Sequence, residues 1–104
     1  MNEFDEYQER AAETAQYQHK FYPFASLMIE SAELSDLVAK QDLRGDNKQA
    51  DRDELISEAG DVLWNLAMCC RQYGVDLSTV ARCNLAKLAS RADRGVIKGD
   101  GGKR

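Results

Sequence analysis

Four carboxylates recur in two short patterns. Glu30 and Glu33 sit in "ESAE", Glu58 and Asp61 in "EAGD", each pair three residues apart and so on one face of a helix. Glu30 falls between Leu27 and Leu34, with Leu37 a turn further on, which sets a carboxylate on the stripe expected to face a core. No Lys or Arg stands three or four residues from Glu30 or Glu33. In the second pattern Glu54, Glu58, Asp61 and Asn65 form one polar strip, and its acids have only each other as helical neighbours. Like charges at this spacing cost roughly a few tenths of a kcal/mol per pair even in water. Withdrawn from water and unpaired, each costs several times more. Oxygen-only donors without His or Cys suit a hard divalent cation, Mg²⁺ or Mn²⁺, and such a cation takes further oxygens from phosphates. A lone E-x-x-E is more often a solvated surface. Two on consecutive helices, with Glu30 among leucines, favour the cation.

Charge of the other sign follows downstream. Asn84, Lys87 and Arg91 recur at i, i+3 and i+7, with Arg94 at i+10. Arg forks and a Lys in one row suit phosphate oxygens. The plainer alternative is ion pairing to the acidic helices, aided by the negative end of a helix dipole. Trp64 lies across its helix from the apolar stripe, near Ala67 and Met68. Its indole suits either a subunit interface, where aromatics are enriched, or stacking on a nucleobase.

These residues need helices to hold them. With one proline, and glycine sparse before residue 95, the chain reads as nearly all helix. A first helix is predicted from about Glu3 to His19, carrying Phe4, Tyr7, Ala11 and Ala15 and capped by Asn2. Pro23 suits the first turn of a second helix, which runs to about Leu43 before a Gly stop in "RGDN". Asp51 and Glu54 resemble a capping box opening a third helix whose stripe is Leu55, Ile56, Ala59, Val62, Leu63, Leu66 and Cys70, ended by Gly74. Asp76 or Ser78 caps a fourth, with Leu77, Val80, Ala81, Leu85 and Leu88. The expectation is an all-α, four-helix bundle over residues 1–93 and a glycine-rich, basic tail over 94–104.

Composition narrows the class. The 104 residues are enough for one small domain, and 43% hydrophobic with 31% charged residues describes a globular chain. A net charge of −4 argues against a general nucleic-acid binder. No apolar run approaches a membrane span and no signal-peptide core is visible, so a cytoplasmic protein without membrane association is expected. Cys69, Cys70 and Cys83 form no C-x-x-C pair and read as reduced thiols of a helix core, and the single His19 leaves little for His-based catalysis or zinc.

The paired motifs, "ESAE" then "EAGD" about two dozen residues on, resemble the E-x-x-E … E-x-x-D signature of the MazG-like, all-α nucleoside triphosphate pyrophosphohydrolases. "FDEYQ", Tyr22-Pro23, "GDVLWNLA", "NLAKLASR" and "RGVIKG" are similar to the small single-domain members, so the likeness covers nearly the whole chain. It implies a divalent-metal-dependent hydrolase that converts (d)NTP to (d)NMP and pyrophosphate. Glu30, Glu33, Glu58 and Asp61 match the metal-ligand positions, and Glu33 or Glu58 is the candidate for handling the attacking water. Asn84 and Lys87 match the substrate-proximal "N-x-x-K", with Arg91, Arg94 and Trp64 as further substrate contacts. The resemblance also implies a bundle completed in a homodimer or homotetramer. Two departures stand out: Ala32 where many relatives have the Gly of E-x-G-E, and "GDGGKR" where many tails end like "GSGDNR". The alternative expectation is a non-catalytic helical module that binds nucleotides or a protein partner, or a structural oligomer with an incidental divalent site.

Overall fold

The computed structural model describes residues 2–44 and 48–95, with side chains except those of 41–44 and 48–50. The expected glycine stop before the third helix and the tail beyond Gly95 lie outside these residues. Four helices are present: α1 (Glu3–Ala12), α2 (Tyr22–Arg44), α3 (Lys48–Gln72) and α4 (Leu77–Arg94), with no strand among the described residues. The all-α, four-helix expectation holds. No helix among the described residues is long and apolar enough to cross a membrane.

Local chemistry sets the helix ends. The Asn2 side chain accepts from the Asp5 N–H at 3.0 Å, and Glu3, Asp5 and Glu6 face the positive end of the α1 dipole. α1 stops at Ala12, well short of His19. The Ala11 carbonyl, which a continuing helix would offer to residue 15, accepts instead from the Thr14 hydroxyl at 2.7 Å and the Trp64 indole N–H at 3.3 Å. α3 begins earlier than expected, at Lys48, so Asp51 belongs to its first turn. Gly74, at φ +69°, lets the Val75 N–H turn back to the Cys70 carbonyl at 2.9 Å and closes α3. Gly95, at φ +72°, ends α4, its own N–H turned to the Ala92 and Arg91 carbonyls.

α4 is capped from a distance. Asp76 holds the N-cap position without a side-chain bond, and the Asp5 carboxylate of α1 accepts from the Ser78 N–H at 3.0 Å and the Ser78 hydroxyl at 2.7 Å. Gln8, buried, extends the same clasp. Its amide donates to the Ala67 carbonyl at 3.1 Å and the Val75 carbonyl at 3.0 Å, and its oxygen accepts from the Leu77 N–H at 3.1 Å.

The core sits where α1 crosses α3: Ala67 and Met68 have no exposed surface, and Ala11, Leu77, Tyr7 and Trp64 close around them. This corrects the expected α3 stripe. Leu63 and Leu66 remain 39% and 37% exposed and Ile56 63%, because α1 packs on the Trp64 side and the leucine side is only partly covered, opening into a cleft with α1 and α4. Trp64, expected at an interface or on a base, is half-buried, its indole N–H held by Ala11 and Thr14 while the ring still lines an open cleft. α2 lies along α3, whereas α4 meets the rest chiefly through α1. The radius of gyration is 16.2 Å, against about 13 Å for a compact chain of this length. The molecule is splayed. All three cysteines are free thiols, but only Cys69 is in the core; Cys70 is half-buried and Cys83 is exposed.

Candidate metal centre

α2 and α3 run antiparallel, as three meetings along their length show. Glu30 adjoins Glu58, the Phe24 and Tyr73 rings meet edge-on at 6.0 Å, and the Gln72 amide donates to the Lys20 carbonyl at 2.6 Å. The helical stripe that puts Glu30 among Leu27, Leu34 and Leu37 therefore turns it toward α3, and the polar strip of α3 turns back toward it. Carboxylate oxygens of Glu30, Glu33 and Glu58 all lie within 4.8 Å of one another. Asp61, exposed on α3, borders this trio, close enough that its charge acts on Glu30.

The electrostatics are unfavourable as the side chains stand. Desolvation first, then the charges of Glu33 and Asp61, a hydrogen bond with Glu33 and the charge of Glu58, push the Glu30 carboxyl above the usual carboxylate range. One oxygen of Glu30 and one of Glu58 are sealed from solvent without a hydrogen-bond partner. Such orphaned acceptors are rare in folded proteins and want an explanation. Asn65, a turn along from Asp61, is buried. Its amide donates to the Asp61 carbonyl at 2.9 Å, but its own oxygen lacks a partner.

Among the described residues no basic side chain pairs with the cluster. The ion pairs among the described residues are Arg10–Glu6 at 4.0 Å and Lys40–Asp36 at 2.9 Å, both within one helix. Ion pairing of the α4 cations to the acidic helices, the plainer alternative for that row, is not seen among the described residues. Three close carboxylates, two with a buried orphaned oxygen, suit a small oxygen-loving divalent cation. The donors fit.

Among the described residues the cationic row makes no ion pair with the carboxylates. Asn84 and Lys87 line an apolar cleft of about 390 Å³ between α1, α3 and α4, with Phe4, Leu63 and Leu66 on its walls. Arg91 is half-buried with its Nε unpartnered, and Arg94 bonds to the Ser90 hydroxyl at 3.2 Å through Nε. Trp64 donates to the Thr14 hydroxyl at 2.9 Å and stands edge-on to Tyr17, with ring centres 6.2 Å apart. Tyr7 was legible only as an apolar-stripe residue. In the fold it neighbours the acids: burial, then the Asp61 charge, push its phenol up.

The described residues define an all-helical domain in which two paired helices bring acidic side chains together, with no basic partner for them among the described residues. Comparison with known proteins narrows this. The MazG nucleotide pyrophosphohydrolase domain profile matches residues 23–96, and the chain belongs to that family. It is 45% identical over 85 residues to the gene 37 protein of Mycobacterium phage L5, spanning 80% of this chain and 75% of that one. It is 38% identical over 72 residues to the uncharacterized protein YvdC of Bacillus subtilis (strain 168), spanning 62% of this chain and 68% of that one. No solved structure matches significantly.

Proposed function

We propose that the chain is a divalent-metal-dependent hydrolase that cuts a nucleoside triphosphate, ribo or deoxy, between its α- and β-phosphates, releasing the monophosphate and pyrophosphate. The observation that carries this reading is the Glu30–Glu33–Glu58 cluster, with buried oxygens of Glu30 and Glu58 lacking a partner, inside a MazG domain. Glu30, Glu33, Glu58 and Asp61 hold Mg²⁺, with Mn²⁺ as a substitute. A bound divalent ion lowers the pKa of water and screens the phosphoryl oxygens.

The protein's own part is positional and acid–base. Glu33 or Glu58 orients a water for attack on the α-phosphorus and takes its proton. The bond from the α-phosphorus to the bridging oxygen breaks, and that oxygen leaves with pyrophosphate. Lys87 and Arg91, with Asn84 and Arg94, offset the charge that collects on the leaving group. Trp64 belongs to the substrate-binding surface.

No ion pair joins the α4 row to the acids among the described residues, and the reading includes a homodimer or homotetramer in which helices of more than one subunit meet around each site. Support comes from the splayed chain and from the apolar stripe left open on α3, which is larger than isolated surface leucines require. The working compartment is the cytoplasm, where nucleotides and Mg²⁺ are both abundant.

Incubation with each common nucleoside triphosphate and Mg²⁺ tests the assignment. Pyrophosphate and monophosphate are expected in equal amounts, and Glu58→Gln is expected to abolish both. Orthophosphate as the first product would exclude the α–β cleavage.

A further inference from the structure

The connector between α1 and α2 folds over the Trp64 edge of α3 and leaves a cleft of about 420 Å³, within the range of small-molecule sites. Its walls are aromatic: Tyr17, His19, Tyr22 and Trp64. The rings are held. The Trp64 indole is tied to Thr14 and Ala11 at 2.9 and 3.3 Å, Tyr17 is edge-on to it, and Tyr17 and Tyr22 stack with centres 5.5 Å apart and planes at 21°.

Polar groups of both kinds ring these faces. The side-chain amides of Gln16 and Gln18 line the cleft, exposed, and make no hydrogen bond among the described residues. The Nδ1 of His19 accepts from the Phe21 N–H at 3.2 Å, which in a neutral imidazole assigns the proton to Nε2 and leaves a donor there. Fixed aromatic faces bordered by donors and acceptors form the chemistry that recognises a nucleobase, by stacking and by hydrogen bonds to its edge.

Register links the cleft to the carboxylates. On α3, Trp64 follows Asp61 by one turn, about 4.5 Å along the axis. On α2, Tyr22 lies two turns before Glu30, about 12 Å back. Because the helices are antiparallel, both offsets run toward the same end of the hairpin. A nucleotide with its phosphates at the acids can extend its base that way.

We propose that the Tyr17–Tyr22–Trp64 cleft binds the nucleobase of the substrate, with Gln16, Gln18 and His19 reading its edge. This rests on the nucleotide reading given above, and Trp64, the one tryptophan of the chain, reports on it directly. The full chain is titrated with free nucleosides, and separately with inorganic tripolyphosphate plus Mg²⁺, following Trp64 emission and equilibrium dialysis. At least one nucleoside is expected to bind and shift the emission without Mg²⁺, whereas tripolyphosphate leaves the emission unmoved. Tyr22→Ala is expected to weaken nucleoside binding about tenfold or more, Tyr22→Phe to retain it, and Gln18→Ala to alter which base is preferred. If no nucleoside binds, or if Tyr22→Ala weakens nucleoside triphosphate and tripolyphosphate equally, the base cleft is overturned while hydrolysis stands. Nucleoside binding by a chain that releases no pyrophosphate would overturn hydrolysis and uphold the cleft.

Discussion

Glu30 combines features that a stable fold avoids: it faces a neighbouring helix, it is surrounded by other acids, and one of its oxygens is buried without a partner. Side chains of this kind trade stability for binding. Substituting Glu58→Gln therefore has two opposite effects. Without divalent ions the variant loses a repulsion worth roughly a few tenths of a kcal/mol per pair, so its Tm is expected to equal or slightly exceed that of the parent. With Mg²⁺ at a hundredfold its dissociation constant the parent gains about 2.7 kcal/mol, and the variant gains little of this. Thermal melts with EDTA and with Mg²⁺ check both signs. A second residue-scale expectation concerns Gln8, whose truncation leaves the Ala67 and Val75 carbonyls and the Leu77 N–H without their partner. Gln8→Ala is expected to cost about 2–3 kcal/mol, measurable by urea unfolding.

Among the elements, α4 is the one whose attachment is least evident from its own sequence. Its N-terminus is capped by Asp5 of α1, and the Ser78 hydroxyl and backbone bonds hold the Asp5 carboxyl below the ordinary carboxylate range. A carboxylate with a depressed folded pKa contributes stability that is complete above its unfolded pKa and lost as pH falls through the folded value. Tm measured from neutral pH down through the ordinary Asp pKa is thus expected to drop more steeply for the parent than for Asp5→Asn. Parallel slopes would remove Asp5 from the acid response. The apolar face of α3 belongs to the same scale. Leu63 and Leu66 are only partly covered by α1 and α4, and a helix with a half-exposed leucine stripe calls for a partner surface.

For the whole molecule, the α4 cations make no ion pair with the acids among the described residues, which makes assembly and activity one question. Leu63→Asp is expected to shift the chain to a monomer in size-exclusion chromatography with light scattering, and pyrophosphate release is expected to fall at least as far as the oligomer fraction. A monomeric variant with full activity would show that each chain completes its own site. The helical class, Asn2 at the start of α1, Pro23 in the first turn of α2 and the glycine end of α3 were legible residue by residue, because caps, proline and positive-φ positions act within a few residues. The early stop of α1 and the side-chain bond that caps α4 were not, since Trp64 and Asp5 reach them from far along the chain, although Asp76 does hold the expected N-cap position.

The order of acids at helical spacing, without a basic neighbour in reach, was enough to mark Glu30, Glu33, Glu58 and Asp61 and to bring the MazG likeness into view. Spacing defines which side chains share a face; it does not define what that face meets. Only the tertiary packing decided that α2 and α3 press Glu30, Glu33 and Glu58 together, that the core of α3 is its Ala67–Met68 side and that Trp64 closes an aromatic cleft. Those outcomes depend on which of two apolar faces α1 covers, a contest between surfaces distant in the chain that periodicity along a single helix does not encode.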